Sequence, residues 1–226
     1  MHPMLPRVHL SPPIPQLLTP AVLGAIVVER FDRVRVQGVL RRVHQEDCCQ
    51  ALAITPTRKY ESDGGPGAVA VATLLARHSS NPEVDVARFL DAMMFNWLIG
   101  GTDAHAKNFA VLHGAPGDVR LAPLYDVISA LPYPSLGGAS GSLAMSIHGE
   151  RAIDRLDGSH WRGLARAVGF APSMVLERLD DLSARLPDAA QAVIADHDAQ
   201  PLARTIVERL LQPVVAHAHR CRFRLS

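Results

Sequence analysis

The chain has 226 residues, 48% hydrophobic and 20% charged, with a formal net charge of +1. This composition is that of a globular chain and argues against disorder of the whole, and no global field would gather nucleic acid or an anionic membrane surface. Such a length buries about 70% of its unfolded surface, enough for one large domain or two small ones. The apolar runs fall short of the ~18 residues of a membrane span. The opening residues lack a basic start followed by an apolar block, so no secretory leader is expected. Three cysteines, two of them adjacent at Cys48 and Cys49, suit a reducing cytosol rather than a disulfide framework, and the expected location is cytoplasmic. Lysine occurs only at Lys59 and Lys107, and the other 21 basic residues are arginine. Any role that needs a lysine has those two candidates.

Residues 1–20 contain six prolines. Proline fixes φ and removes a donor, so residues 1–21 are read as an extended or disordered lead. The apolar, β-branched stretch 22–31 predicts a strand ending at Glu29-Arg30, and 34–43 a second, shorter one. Residues 45–54 predict a short helix with Glu46 and Asp47 in its first turn, where the dipole favours acids. KYESDGGPG (59–67) is loop by composition. Helical periodicity then begins, with Val69, Ala72, Leu75 and Ala76 at three- and four-residue spacing. Asn81-Pro82 opens the clearest helix, 82–98, whose apolar face runs Val86, Phe89, Leu90, Met93, Met94, Trp97 and Leu98. It stops at Gly100-Gly101. Residues 109–112 and 119–122 predict a hairpin around HGAPGD. A Gly/Ser-rich loop spans 134–142, a strand 143–147, and helices 159–169, 172–186, 188–197 and 201–221. The predicted fold class is α+β, helix-rich, with strands at the start and in the middle.

The informative segment is GGTDAHAKNF (100–109). A core helix ends, an acid, an imidazole, an amine and an amide follow in close succession, and a hairpin strand begins. Such polar density needs partners or a ligand. Asp103 and Asn108 are five residues apart, the spacing at which a protein-kinase catalytic loop places the proton-accepting Asp and the magnesium-holding Asn. Asp126, in LAPLYDVISALP, follows the hairpin, where a kinase places its second metal-binding acid. An amide oxygen and a carboxylate suit Mg2+. Two readings stand on the residues alone: a phosphotransfer site, or a helix end whose Asp103, His105 and Asn108 merely cap and brace a loop.

Taken in order, VVERFDR, QEDCCQALAI, KYESDGGPG, TDAHAKNF and LAPLYDVISALP resemble the C-terminal kinase domain of HipA-type bacterial toxins, over about residues 25 to 220. The resemblance implies a protein-kinase-like large lobe, mainly α-helical with a short β-hairpin, filling residues 22–226. It implies a serine/threonine kinase that uses ATP and Mg2+. Asp103 would orient or deprotonate the acceptor hydroxyl, while Asn108 and Asp126 would hold the metal. Lys107 would neutralise phosphate charge, and His105 would brace the loop or act directly. Glu29 and Phe31 would meet the adenine edge through their backbone at the hinge, Asp32 would neighbour the ribose, and Tyr125 would pack on the nucleotide. For ERFDR a salt-bridged strand end, and for Tyr125 a core position, are the competing readings. The implied partners are a helix-turn-helix antitoxin, with DNA reached only through it, and a protein acceptor such as glutamate–tRNA ligase or another aminoacyl-tRNA synthetase. No membrane partner is implied.

A kinase also needs a glycine-rich loop and a strand lysine ahead of its hinge. The 28 residues before Glu29 hold one glycine, Gly24, and no lysine. The small lobe is therefore expected to be largely missing, and the chain alone inactive, working with a separate small-lobe polypeptide. The alternatives are a non-catalytic remnant or antitoxin-binding module, and a small-molecule phosphotransferase. Each of these readings makes the polar loop and the turn at Asp126 the place to look.

Overall fold

The structure, a computed structural model, describes residues 16–18, 25–195 and 207–225. Apart from 16–18, the predicted proline-rich lead lies outside them. Strand β1 (Gln16–Leu18) pairs antiparallel with β2 (Ala25–Val27). The predicted strand 22–31 is thus shorter among the described residues, for Val28–Arg30 are exposed and belong to no strand. The stretch 34–43 is not one strand but a hairpin, β3 (Arg33–Val36) against β4 (Val39–Arg42). Gln37 (φ 50°) and Gly38 (φ 79°) turn it, since two consecutive left-handed residues match the twist of a two-residue hairpin. Val34, Val36, Val39 and Leu40 remain exposed on this ribbon.

The predicted helix 45–54 resolves into strand β5 (His44–Asp47) and a single turn, α1 (Cys48–Ala51). Asp47 is the N-cap rather than a first-turn acid. Its carboxylate accepts from Gln50 N at 2.9 Å and the Gln50 side chain accepts from Asp47 N at 3.0 Å, a capping box that closes two orphan donors. Helices α2 (Ala68–His78) and α3 (Pro82–Ile99) follow as the periodicity predicts. Beyond α3 come β6 (Ala110–His113) and β7 (Val119–Leu121), the predicted hairpin. Together they make a three-stranded antiparallel sheet in the order β5-β6-β7, with Asp47 opposite Ala110 and Val111 opposite Leu121.

Residues 134–140 form two short 3-10 turns. Strand β8 (Ser142–Ile147) then turns at His148-Gly149, both left-handed, into β9 (Glu150–Ala152), which the sequence reading missed. Helix α4 (Gly158–Ala167) starts at an Asp157 N-cap. Helix α5 (Pro172–Ala195) runs straight through Pro187, where a break is predicted. Proline's φ is compatible with a helix, and Leu182 and Leu186, packed against the core just before it, support the element across the lost N–H. The last described helix is α6 (Gln212–Phe223), preceded by a π-turn at Val207–Leu211.

Helix α3 is the centre of the core. Val86, Phe89, Leu90, Met93, Met94, Trp97 and Leu98 are all fully buried, each such burial contributing about 1.5–3 kcal/mol. Three polar groups on α3 fasten it to its surroundings. Asp91 accepts a two-point contact from Arg178 of α5 at 2.8 and 2.7 Å. Trp97 donates to the Ile153 carbonyl at 3.0 Å. Asp85 accepts from Leu121 N of β7 and from Arg120. The helix that leads into the polar loop is therefore fixed along its whole length. Among the described residues, no helix is long and apolar enough to cross a membrane.

Candidate active site

Helix α3 ends at Gly100, left-handed at φ 65°. A Cβ there would sit 2.5 Å from the Leu131 side chain, and one at Gly101 would sit 2.4 Å from Asn96 Oδ1. Space therefore demands a glycine at both positions, and at Gly100 the left-handed backbone demands it as well. The chain then folds into a tight loop in which His105 N donates to the Asp103 carbonyl and Asn108 N donates to the His105 carbonyl, each at 2.8 Å. Asn108 Nδ2 donates back to the Asp103 carbonyl at 3.0 Å. Phe109 anchors the far end, edge-on to Phe89 of α3 at 4.9 Å.

The Asp103 carboxylate is more than half exposed. Its Oδ1 accepts from the Tyr60 hydroxyl at 2.7 Å, and its Oδ2 lies 4.0 Å from His105 Nε2. The bond to Asp103, with burial, pushes the Tyr60 phenol up to about 12, so Tyr60 stays a donor. His105 is 4% exposed. Burial lowers its pKa against the pull of Asp103, and its buried Nδ1 has no hydrogen-bond partner. The ring meets Tyr60 edge-on at 5.1 Å. Lys59 Nζ lies 4.9 Å from the centre of the opposite neighbour, the Tyr60 ring, and the Lys59 carbonyl accepts from Ala106 N. KYESDGGPG, legible in the sequence only as a loop, thus supplies one wall of the site. Glu61 secures that wall by accepting from both the backbone N and the hydroxyl of Ser146 on β8.

Lys107 Nζ donates to Asp47 Oδ2 at 2.6 Å. Its charge is matched by the cap of α1 rather than held open to a phosphate. Both lysines of the chain meet this loop, Lys107 as a member of it and Lys59 through its carbonyl, which accepts from Ala106 N. Tyr125 donates to the Lys107 carbonyl at 2.5 Å and stacks on Phe31 at 6.1 Å between ring centres. The segment carrying Tyr125 and Asp126 is tethered to the end of α3, with Ser129 Oγ donating to the Ile99 carbonyl at 2.6 Å and Ala130 N to the Gly100 carbonyl at 2.9 Å.

Asp126 is exposed and left-handed at φ 54°, a conformation that costs a non-glycine residue on the order of 1 kcal/mol. It lies within electrostatic reach of His105. Among the described residues its carboxylate makes no hydrogen bond, and neither does Asn108 Oδ1. Two hard oxygen donors without partners suit Mg2+. Asn108 and Asp126 do not bond to each other.

The residues of the expected hinge lie in different surroundings. Phe31 reaches the site through Tyr125, whereas Glu29 is exposed. Asp32 is employed differently from a ribose acceptor. At 3% exposure, it takes Arg30 at 2.8 and 2.5 Å and Arg33 at 3.3 Å, with Arg42 at 3.8 Å. The Arg30 hydrogen bond holds its carboxyl below the usual range against the opposing effect of burial. The competing reading of ERFDR, a salt-bridged strand end, is what this carboxylate displays.

A family model described as the HipA-like C-terminal domain matches residues 7–190. The chain belongs to this family. The HipA-like domain is 40% identical over 172 residues to Y4mE, a kinase by inference from Sinorhizobium fredii, covering 76% of this chain and 40% of that protein. It is 31% identical over 183 residues to the serine/threonine-protein kinase toxin HipA of Shewanella oneidensis, covering 75% of this chain and 41% of that toxin. Among solved structures it superposes with a TM-score of 0.82 and 25% identity on the S. oneidensis toxin–antitoxin complex of HipA, HipB and operator DNA, covering 92% of this chain and 51% of that one. The HipA-like domain thus spans about two-fifths of the curated relatives it matches. That likeness agrees with the predicted α+β, kinase-like fold.

Proposed function

We propose that this HipA-like domain carries the catalytic loop of an ATP- and Mg2+-dependent serine/threonine kinase. The observation that supports it best is the Asp103 carboxylate, exposed on a loop braced from both ends and held at one oxygen by Tyr60. Asp103 Oδ2 is open to accept a hydrogen bond from an acceptor hydroxyl. As the hydroxyl oxygen attacks the γ-phosphorus and the bond to the β-phosphate oxygen breaks, the hydroxyl proton passes to Asp103 and ADP leaves. Asn108 and Asp126 would hold Mg2+, which supplies neutralisation of phosphate charge. His105 would brace the loop through its backbone, which donates to the Asp103 carbonyl and accepts from Asn108 N. Lys107 serves the same end through Asp47, and meets phosphate only by leaving that pair. Glu29 and Phe31 would present the adenine edge, with Tyr125 behind Phe31.

The sequence contains no glycine-rich phosphate loop or strand lysine before Phe31, so transfer requires those groups from further polypeptide. The acceptor implied by the family resemblance is an aminoacyl-tRNA synthetase serine. A HipB-like antitoxin is the proposed partner, since the superposed HipA is seen with HipB and DNA.

The test is Asp103→Asn in a complex supplemented with a small-lobe polypeptide. Transfer of labelled phosphate should fall by about 10²–10⁴-fold with the thermal midpoint unchanged. Undiminished transfer removes Asp103 from this role. If the domain serves only as an antitoxin-binding module, it will bind a HipB-like protein while showing no ATP binding by calorimetry even after a small-lobe polypeptide is added.

A further inference from the structure

The antiparallel register sets His44 of β5 directly opposite His113 of β6. Residues two apart on a strand share a face, so Glu46 stands on the same side as His44. The two imidazole centres are 5.2 Å apart, and His113 Nε2 lies 2.8 Å from Glu46 Oε2. One donor atom from each of the three side chains lies within 4.8 Å of the other two. His44 is exposed, and Glu46 and His113 are half-buried. A cross-strand hydrogen bond accounts for Glu46 and His113. It does not account for a second imidazole brought to the same point.

We propose that His44, Glu46 and His113 form a site for a borderline divalent transition-metal ion, with Zn2+ the best match and water completing the coordination. Two imidazole nitrogens and one carboxylate oxygen are the donor set such an ion prefers, while Mg2+ seeks several oxygens. Zinc holds these donors at about 2.0–2.2 Å, which places them about 3.4 Å apart in a tetrahedron. The Glu46–His113 contact already lies inside that span, and rotation of the exposed His44 side chain brings in the third donor. The ladder fixes the backbone of both strands, so little ordering is needed. All three cysteines are buried and offer the ion no competing thiolate. The site sits at the end of the β5–β6 pair opposite Asp47 and Ala110, so a bound ion would clip together the two strands that lead to Asp47 and away from Asn108. It rests on none of the residues assigned to phosphotransfer and stands or falls separately from that reading.

The test uses the whole chain, stripped of metal with a chelator and titrated with Zn2+ by calorimetry. Co2+ serves as an absorption probe of coordination and Mg2+ as the control. The expected result is one saturable Zn2+ equivalent that excess Mg2+ does not displace, four-coordinate Co2+ bands, and a higher thermal midpoint with Zn2+. His44→Ala removes one donor without touching the Glu46–His113 bond, so the fold is retained. Because changes behind a ligand already weaken metal sites by about 10- to 100-fold, loss of His44 should weaken Zn2+ at least tenfold and abolish the Co2+ bands. Wild-type affinity in His44→Ala or in His44→Ala/His113→Ala overturns the proposal, as does the absence of Zn2+ binding to the wild-type chain.

Discussion

Phe31 and Tyr125 face each other with ring centres 6.1 Å apart and planes 29° from parallel, and the Tyr125 hydroxyl donates to the carbonyl of Lys107. One aromatic pair therefore joins three separate stretches of sequence: the segment before β3, the turn at Asp126 and the polar loop 100–109. A double-mutant cycle of Phe31→Ala and Tyr125→Ala should give a coupling energy of about 0.5–1.5 kcal/mol in denaturant unfolding. Tyr125→Phe alone should cost about 1 kcal/mol, since the Lys107 carbonyl loses its donor. Strict additivity of the two alanine changes would show that the rings do not cooperate.

Asp85 is fully buried at the start of α3. It accepts from Ser79 Oγ at 2.6 Å, Leu121 N at 2.8 Å, Arg120 at 3.0 and 3.1 Å and Arg88 at 3.4 Å. Burial pushes its carboxyl up, but the Arg120, Ser79 and Leu121 hydrogen bonds outweigh that and hold it below the usual range. Asp85→Ala strands Arg120 and the Leu121 N–H, and should destabilise the domain by about 3–5 kcal/mol. A loss under 1 kcal/mol by chemical denaturation would contradict this account of how β7 is held to α3.

His217 of α6 is 2% exposed. Its Nε2–H donates to the Trp97 carbonyl at 3.0 Å. Burial lowers its pKa from 6.5 to about 4. A lowered folded-state value means that the unfolded chain takes up the proton first. The stabilisation is therefore complete above pH 6.5 and is lost as the pH falls toward 4, by on the order of 3 kcal/mol. His217→Gln should flatten the stability profile across that window. An unchanged slope would assign the loss to other groups.

Tyr60 is a positioning residue on the proposed reading. Tyr60→Phe removes a hydrogen bond to a carboxylate, of about 1.5–3 kcal/mol. In a supplemented kinase complex, kcat should fall about 10- to 100-fold while the KM for ATP stays the same. A change confined to KM would place Tyr60 in nucleotide binding instead.

The sequence revealed most where one physical effect dominates. Helix α3 was legible because its apolar face is long and Pro82 and Gly100 bracket it. The loop 100–109 was legible because acid, imidazole and amide side chains rarely crowd together without purpose. What stayed hidden depends on contacts distant in sequence. Asp47 looked like a helix-start acid, but Ala110 pairs with it as a strand residue before it caps α1. Asp32 looked available to a sugar until the fold brought Arg42 of β4 beside Arg30 and Arg33. Gln37-Gly38 and His148-Gly149 turn their hairpins with a left-handed non-glycine residue first, a weaker signal in sequence than the commoner Asn-Gly pair. Tyr60 gave no local signal, since its partner is 43 residues away.

Leu131 occupies the space that a side chain at position 100 would need, and its neighbour Ala130 is bonded to the Gly100 carbonyl. A methyl group at 100 would push Leu131 aside and strain the tether that joins the Asp126 segment to the end of α3. Evolutionary drift at position 100 is thereby coupled to drift at 131. Homologues with a larger residue at the first position should carry a smaller one at the second, and swapping only one of the pair between relatives should do more harm than swapping both.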